Sequence, residues 1–284
     1  MKQIGDRFVS DRISADLSEL PSRKGGMAAQ ERWAFNADSD AVYILSKKAV
    51  QSISSPALGI LRWKCRGVCF DHVDEPITTR RTSGADLHLA CSYGQLDEFS
   101  SNPTMADNSR LLLHAADVRI FQNTSAQHEV FRPVYVGDVR NTVLPDQSIF
   151  PMDVFEARTT EQFSDVLAAL PTYNFHYAIR KDRDFEAASS KPFVKGFTAA
   201  ALGAVILTQK STNDAAHFLG EDYPYFCLDD GNPTEVCLRA RDEFMGPVWS
   251  FAKDRMRSMA AKSHPEVIAL QLVDIVAELQ DRRV

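Results

Sequence analysis

Short runs of consecutive apolar residues, several rich in β-branched side chains, recur along the chain between polar stretches. The first is Ala41-Val42-Tyr43-Ile44-Leu45; Gly67-Val68-Cys69-Phe70, Asp86-Leu87-His88-Leu89-Ala90 and Leu111-Leu112-Leu113 follow. Runs that are apolar on both faces, rather than alternating, predict strands covered on both sides, as in a parallel sheet. Ala57–Lys64 and Gly94–Ser100, between them, have helical spacing. The plan repeats further on, with strands predicted at Pro133–Gly137, Asn174–Ile179 and Ala204–Leu207. Helices are predicted at Phe163–Leu170, Lys195–Leu202, Ser250–Lys262 and Pro265–Asp281, the last with a proline in its first turn. Strand-helix alternation predicts an α/β fold with right-handed crossovers, here two Rossmann-like parallel-sheet lobes. The polar, aperiodic stretch that ends at Pro133 marks the join. The expected division is residues 1–118, a hinge at 119–132, a second lobe at 133–262, and a helix at 263–284 returning to the first lobe.

Composition narrows the function classes. Among 284 residues, 38 acids outnumber 32 Lys and Arg, for a formal net charge of -6. Duplex binders carry a basic field that draws in phosphates, so no nucleic-acid partner is expected. A local cationic patch for one small phosphorylated ligand is compatible with that balance. The five cysteines, Cys65, Cys69, Cys91, Cys227 and Cys237, lack zinc-site spacing and read as buried reduced thiols. No apolar run has signal-peptide or membrane-spanning length, so a cytoplasmic protein without a transmembrane segment is expected.

Candidate chemistry clusters where predicted strands end, the edge at which open α/β sheets bind ligands. Phe70-Asp71-His72-Val73-Asp74 follows a buried strand, and carboxylates around a histidine suit proton transfer near neutral pH. Loop polarity, with Asp74 as a helix cap, is the alternative for the same residues. His114 and Asp117 follow the fourth strand in the same way, or serve as hinge residues. Gly137, ending its strand, permits close backbone approach to a ligand, although neither a full GxGxxG nor a P-loop surrounds it. Arg180, Lys191 and Lys195 fall at a strand end, a loop and a helix start. Cations beside a helix N-terminus are what a diphosphate needs; the alternative is that the lysines are simply solvated.

The run Lys191-Pro192-Phe193-Val194-Lys195-Gly196-Phe197-Thr198-Ala199-Ala200-Ala201-Leu202-Gly203-Ala204-Val205-Ile206 resembles the C-terminal lobe of GT-B glycosyltransferases. There a small-residue helix and a glycine precede a short apolar strand. Gly220-Glu221-Asp222-Tyr223-Pro224-Tyr225 is similar to the acidic turn that follows. Leu113–Asp117 with Arg132–Gly137 resembles the interdomain passage, and the two final helices resemble those that return across the hinge. Many retaining members carry paired glutamates flanking the small-residue helix. The matching positions here are Ser190 and Thr198.

The resemblance implies a nucleotide sugar held mainly by the second lobe, through Gly137, Arg180, Lys191, Lys195 and Thr198. Transfer of the sugar to a glycan or other hydroxyl acceptor would use a base from the first lobe, with His72 and Asp74 the candidates. The nucleotide sugar is then a substrate, and neither a cofactor nor a metal is expected. A GT-B-like protein that binds without catalysis is the rival expectation. A sugar-phosphate epimerase is a third, lacking a clear acidic pair.

Overall fold

The computed structural model describes residues 13–22, 27–75, 80–122, 129–181 and 191–281. The chain forms two compact units, one of residues 1–113, 185–192 and 266–284, the other of residues 114–184 and 193–265. Each is built on its own parallel sheet.

The first unit contains α1 (Met27–Phe35), β1 (Val42–Leu45), α2 (Lys47–Ser52), α3 (Ser55–Lys64), β2 (Gly67–Asp71), β3 (Leu87–Ala90), α4 (Tyr93–Ser100) and β4 (Ser109–Leu111). The sheet order is β1-β2-β3-β4, with every pairing parallel. All residues of β2 and β3 are buried, as expected from runs apolar on both faces. Ser54 caps α3 by accepting from the Ala57 amide, and a proline follows in the first turn. Val50, Ala57, Leu58 and Leu61 pack with Val68 and Phe70 to make the core on one side.

The last helix, here α10 (Pro265–Asp281), packs on this unit. A Cβ placed on Gly67 would lie 2.9 Å from a Leu279 methyl, so the glycine is what lets the helix approach β2. Arg110 grips Glu278 with two hydrogen bonds, of 2.7 and 2.6 Å.

The second unit contains β5 (Pro133–Gly137), β6 (Asp153–Glu156), α5 (Thr160–Leu167), β7 (Phe175–Tyr177), α6 (Val194–Ala201), β8 (Val205–Gln209), α7 (Ala215–Leu219), β9 (Phe226–Cys227), α8 (Pro233–Asp242) and α9 (Pro247–Lys262). The order β6-β5-β7-β8-β9 is again parallel throughout. The chain runs from β5 outward to β6 and then returns past β5 to β7. By the rule that such crossovers are right-handed, these two connections fall on opposite faces, so the strand order reverses at the C-terminal ends of β5 and β7, the edge at which open sheets bind ligands. At the other end of β7, Phe175 stacks on Trp249 with centroids 6.3 Å apart, sealing the sheet from below.

The fourth strand begins and ends two residues earlier than its sequence suggested, at Ser109–Leu111. β6 and β9 were not anticipated. β6 is largely exposed and β9 has two residues, so neither carries a buried apolar run. No helix among the described residues is long and apolar enough to cross a membrane.

Candidate functional site

In the first unit, His72 directly follows β2 and is fully buried. Glu75, equally buried, accepts from His72 Nδ1 at 2.6 Å, and Gln51 donates to the same carboxylate at 3.2 Å. The other ring nitrogen, Nε2, shares a hydrogen with His88 Nδ1 at 2.9 Å, the rings being stacked at 5.1 Å. Gln95 closes the network, donating to the His72 carbonyl at 3.1 Å and accepting from the Cys91 amide at 2.8 Å. Burial, the neighbouring His72 and then Arg80 push His88 down to about 4, so it is neutral at physiological pH. Arg80 pairs with Glu98, and its guanidinium lies 4.6 Å from the centre of the Phe99 ring. With Phe99, Asn102 and Met105 these two residues line a recess of about 400 Å³.

Asp74 is placed differently. It is exposed, in a turn with φ +55, and its carbonyl accepts from Lys47. The sequence placed His72 and Asp74 together as candidate bases. The structure separates them by access, because only Asp74 meets solvent while both His72 ring nitrogens are engaged. In the second unit, the sequence candidate Asp117 is tied to Arg119 Nη2 at 2.7 Å, and His114 is half-buried.

The C-terminal edge of the second sheet gathers three of the sequence candidates. Gly137 ends β5 with φ +144, a region side chains rarely adopt. Lys195, in the first turn of α6, reaches over that strand end and sits 4.2 Å from the centre of the Tyr135 ring. A Cβ on Gly137 would stand 3.1 Å from the Tyr135 hydroxyl and 3.2 Å from Lys195 Nζ, so the bare backbone makes room for both. The Tyr135 hydroxyl is fixed by donating to the Asp138 carbonyl at 2.8 Å. Arg180 lies three residues beyond β7, where its main chain is clamped by Gln209: the Arg180 amide donates at 2.9 Å and the Gln209 amide donates back at 3.0 Å.

The electrostatics are unusual for a lysine. Burial of its ammonium, followed by repulsion from Arg180, pushes Lys195 down to about 7. It lies against the Tyr135 ring, and among the described residues no carboxylate bonds it. His176, in β7, is 7% exposed, and among the described residues its Nε2 has no hydrogen-bond partner. Burial and then Lys195 push it down to about 4. The nearby acids are already committed. Asp138 is gripped by Arg140 at 2.6 Å and held far below the usual carboxylate range, while Glu156 pairs with Arg158.

Two further sequence candidates fall apart from this group. Thr198 is half-buried in α6, one turn beyond Lys195. Lys191 counts with the first unit. Ser190 lies outside the described residues. Tyr135 and His176 were not singled out as site residues from sequence. The signal for Tyr135 was its place two residues before Gly137 in the same strand. Among the described residues no group of three or more His, Cys, Asp or Glu is arranged to hold a metal.

No family model and no curated protein matches the sequence. Solved structures do match its fold. HepE from Anabaena, solved in complex with UDP, is 10% identical, with a TM-score of 0.59 over 94% of this chain and 86% of that one. A glycosyltransferase from Rickettsia africae is 8% identical, with a TM-score of 0.55 over 94% of this chain and 84% of that one. AviGT4, a glycosyltransferase of avilamycin A biosynthesis, is 16% identical, with a TM-score of 0.53 over 90% of this chain and 79% of that one. The chain therefore has the GT-B-like fold of glycosyltransferases, with a four-stranded and a five-stranded parallel sheet. At these identities the likeness is one of fold.

Proposed function

We propose that this protein binds a nucleotide sugar at the C-terminal edge of its second sheet and transfers the sugar to a hydroxyl acceptor. The observation that carries the reading is the half-buried Lys195 ammonium beside Gly137 and Arg180 at the strand-order reversal, with no anion paired to it among the described residues. A diphosphate would supply that anion. Arg180 and Lys195 would then hold the charge that develops on the departing nucleoside diphosphate, the main electrostatic task of such a transfer. Several matched structures contain UDP or a UDP sugar, which supports a nucleotide sugar as the ligand class.

In the transfer, the acceptor oxygen bonds to the anomeric carbon. The bond from that carbon to the phosphate oxygen breaks, and the diphosphate leaves with the electron pair. The acceptor proton passes to a carboxylate. Asp74 is the candidate with the exposure a base requires, and buried His72 positions the turn through Glu75. Lys191 and Thr198 are secondary candidates for donor contact, each testable by an alanine variant.

A second reading, binding without turnover, is favoured by one observation: Thr198 stands where the resemblance puts a glutamate. A thermal-shift panel of nucleoside diphosphates and their sugars tests the shared step, since a ligand of the native state raises its stability. No shift with any of them would refute both readings. Release of nucleoside diphosphate from a donor that binds, measured with a mixed hydroxyl-acceptor pool, then separates them: release supports transfer, and binding without release supports the second reading.

A further inference from the structure

We infer that the anionic donor binds at this edge together with one proton, which the Lys195 amine takes up. This rests on the reading of the second sheet as a nucleotide-sugar site and adds how that site is regulated.

The geometry comes first. Lys195 Nζ lies 4.2 Å from the Tyr135 ring centre, and among the described residues it has neither an ion pair nor a hydrogen bond. The Tyr135 ring face attracts the ammonium, but no described group adds an anion to it. From β5, the Tyr135 hydroxyl is spent on the Asp138 carbonyl. Just beyond β5, Asp138 is held by Arg140, and from β6 Glu156 is held by Arg158. From β7 comes His176, buried, with Nε2 unpartnered among the described residues, and beyond it Arg180, a like charge. From β8, Gln209 is occupied with the Arg180 main chain. A cation is thus built into a place where the neighbouring acids among the described residues, Asp138 and Glu156, are paired elsewhere.

Such a group has two ways out. It loses its proton, or it gains an anion. Burial and Arg180 already bring Lys195 down to about 7, so near pH 8 the empty site holds mostly the free amine. A nucleotide sugar brings two phosphates, each with one strongly acidic oxygen and none that titrates near neutrality. The charge on its phosphates is therefore constant from about pH 6 to 9, and proton uptake on binding at pH 8 is attributable to the protein. Two negative charges arriving beside the amine restore the ammonium, as an opposite charge within a few ångströms always favours the charged form.

The test is calorimetric titration of UDP-glucose, ADP-glucose and GDP-mannose at pH 8 in two buffers of different ionisation enthalpy. Expected is uptake of about 0.9 proton per site by the wild type, with affinity falling roughly tenfold between pH 8 and pH 9. Lys195→Arg keeps a permanent charge and loses the uptake. Lys195→Met also loses it and binds with an affinity independent of pH, which guards against a folding defect in either variant. Binding whose enthalpy is the same in both buffers would overturn the proton uptake and leave the donor site standing. Uptake that persists in Lys195→Arg would also overturn it, by moving the proton to another group such as His176. No heat with any of the three sugars would overturn the donor reading itself, and the inference with it.

Discussion

Gly137→Ala is the smallest change that interrogates the candidate site. The backbone there has φ +144, so any side chain is strained before its surroundings are considered. A residue held in such a region costs on the order of 1–3 kcal/mol. The new methyl would also meet the Tyr135 hydroxyl at 3.1 Å and Lys195 Nζ at 3.2 Å. The hydroxyl is anchored to the Asp138 carbonyl, so the lysine yields and moves off the ring. Losing one charge-assisted contact of about 1.5–3 kcal/mol weakens diphosphate binding by roughly 10–100-fold. Urea denaturation followed by calorimetric titration of UDP-glucose reads both effects. Gly59→Ala is the control: nothing lies within 4 Å of the added methyl and the residue is in the middle of α3, so that variant gains about 0.4–1 kcal/mol. A Gly137→Ala protein as stable as wild type, with unaltered affinity, would refute the reasoning on strain and on the lysine.

Acid should destabilise the protein between about pH 6.5 and pH 4. His88 and His176 both lie at about 4 in the native state against an ordinary 6.5, so within that window the unfolded chain binds protons that the native chain does not. The histidines' contribution is complete above pH 6.5 and falls by at most about 3 kcal/mol each by pH 4. Denaturant midpoints at pH 7.5 and 4.5 measure this, and a flat profile would contradict it. Glu75→Ala leaves the buried His72 Nδ1 without its partner, which costs about 1–3 kcal/mol. Hydrogen exchange should localise that loss to residues of the first unit, with nucleotide affinity unchanged. Arg110→Ala removes the two-bond grip on Glu278 and should cost about 1 kcal/mol, seen as faster exchange in α10; unchanged exchange there would mean the pair contributes nothing.

Strands sealed on both faces were the most legible part of the sequence. Pro133–Gly137 coincides with β5, and Pro265–Asp281 with α10, because a run of apolar side chains and a proline in the first turn each have one dominant meaning. The edge strand β6 has no such signature, since Asp153, Val154 and Glu156 all face solvent. The helix α8 was missed although Asn232-Pro233 marks its start; its surface is so polar that no apolar stripe stands out. At the site, sequence pointed to Gly137, Arg180 and Lys195 by their positions at element ends. The ring beneath the lysine was not legible, because it depends on a side chain crossing the end of another strand. Nor was the burial of His72. A histidine between two aspartates reads as a surface loop, and the partners that hold it, Glu75 and His88, are recognisable only once β2 and β3 lie side by side.

The most direct test of the donor site is calorimetric titration of UDP at pH 7 into the wild type, Arg180→Ala and Lys195→Ala. Measurable binding by the wild type is expected, weakened by roughly 10–100-fold in each variant. Wild-type affinity in both variants would contradict the proposal.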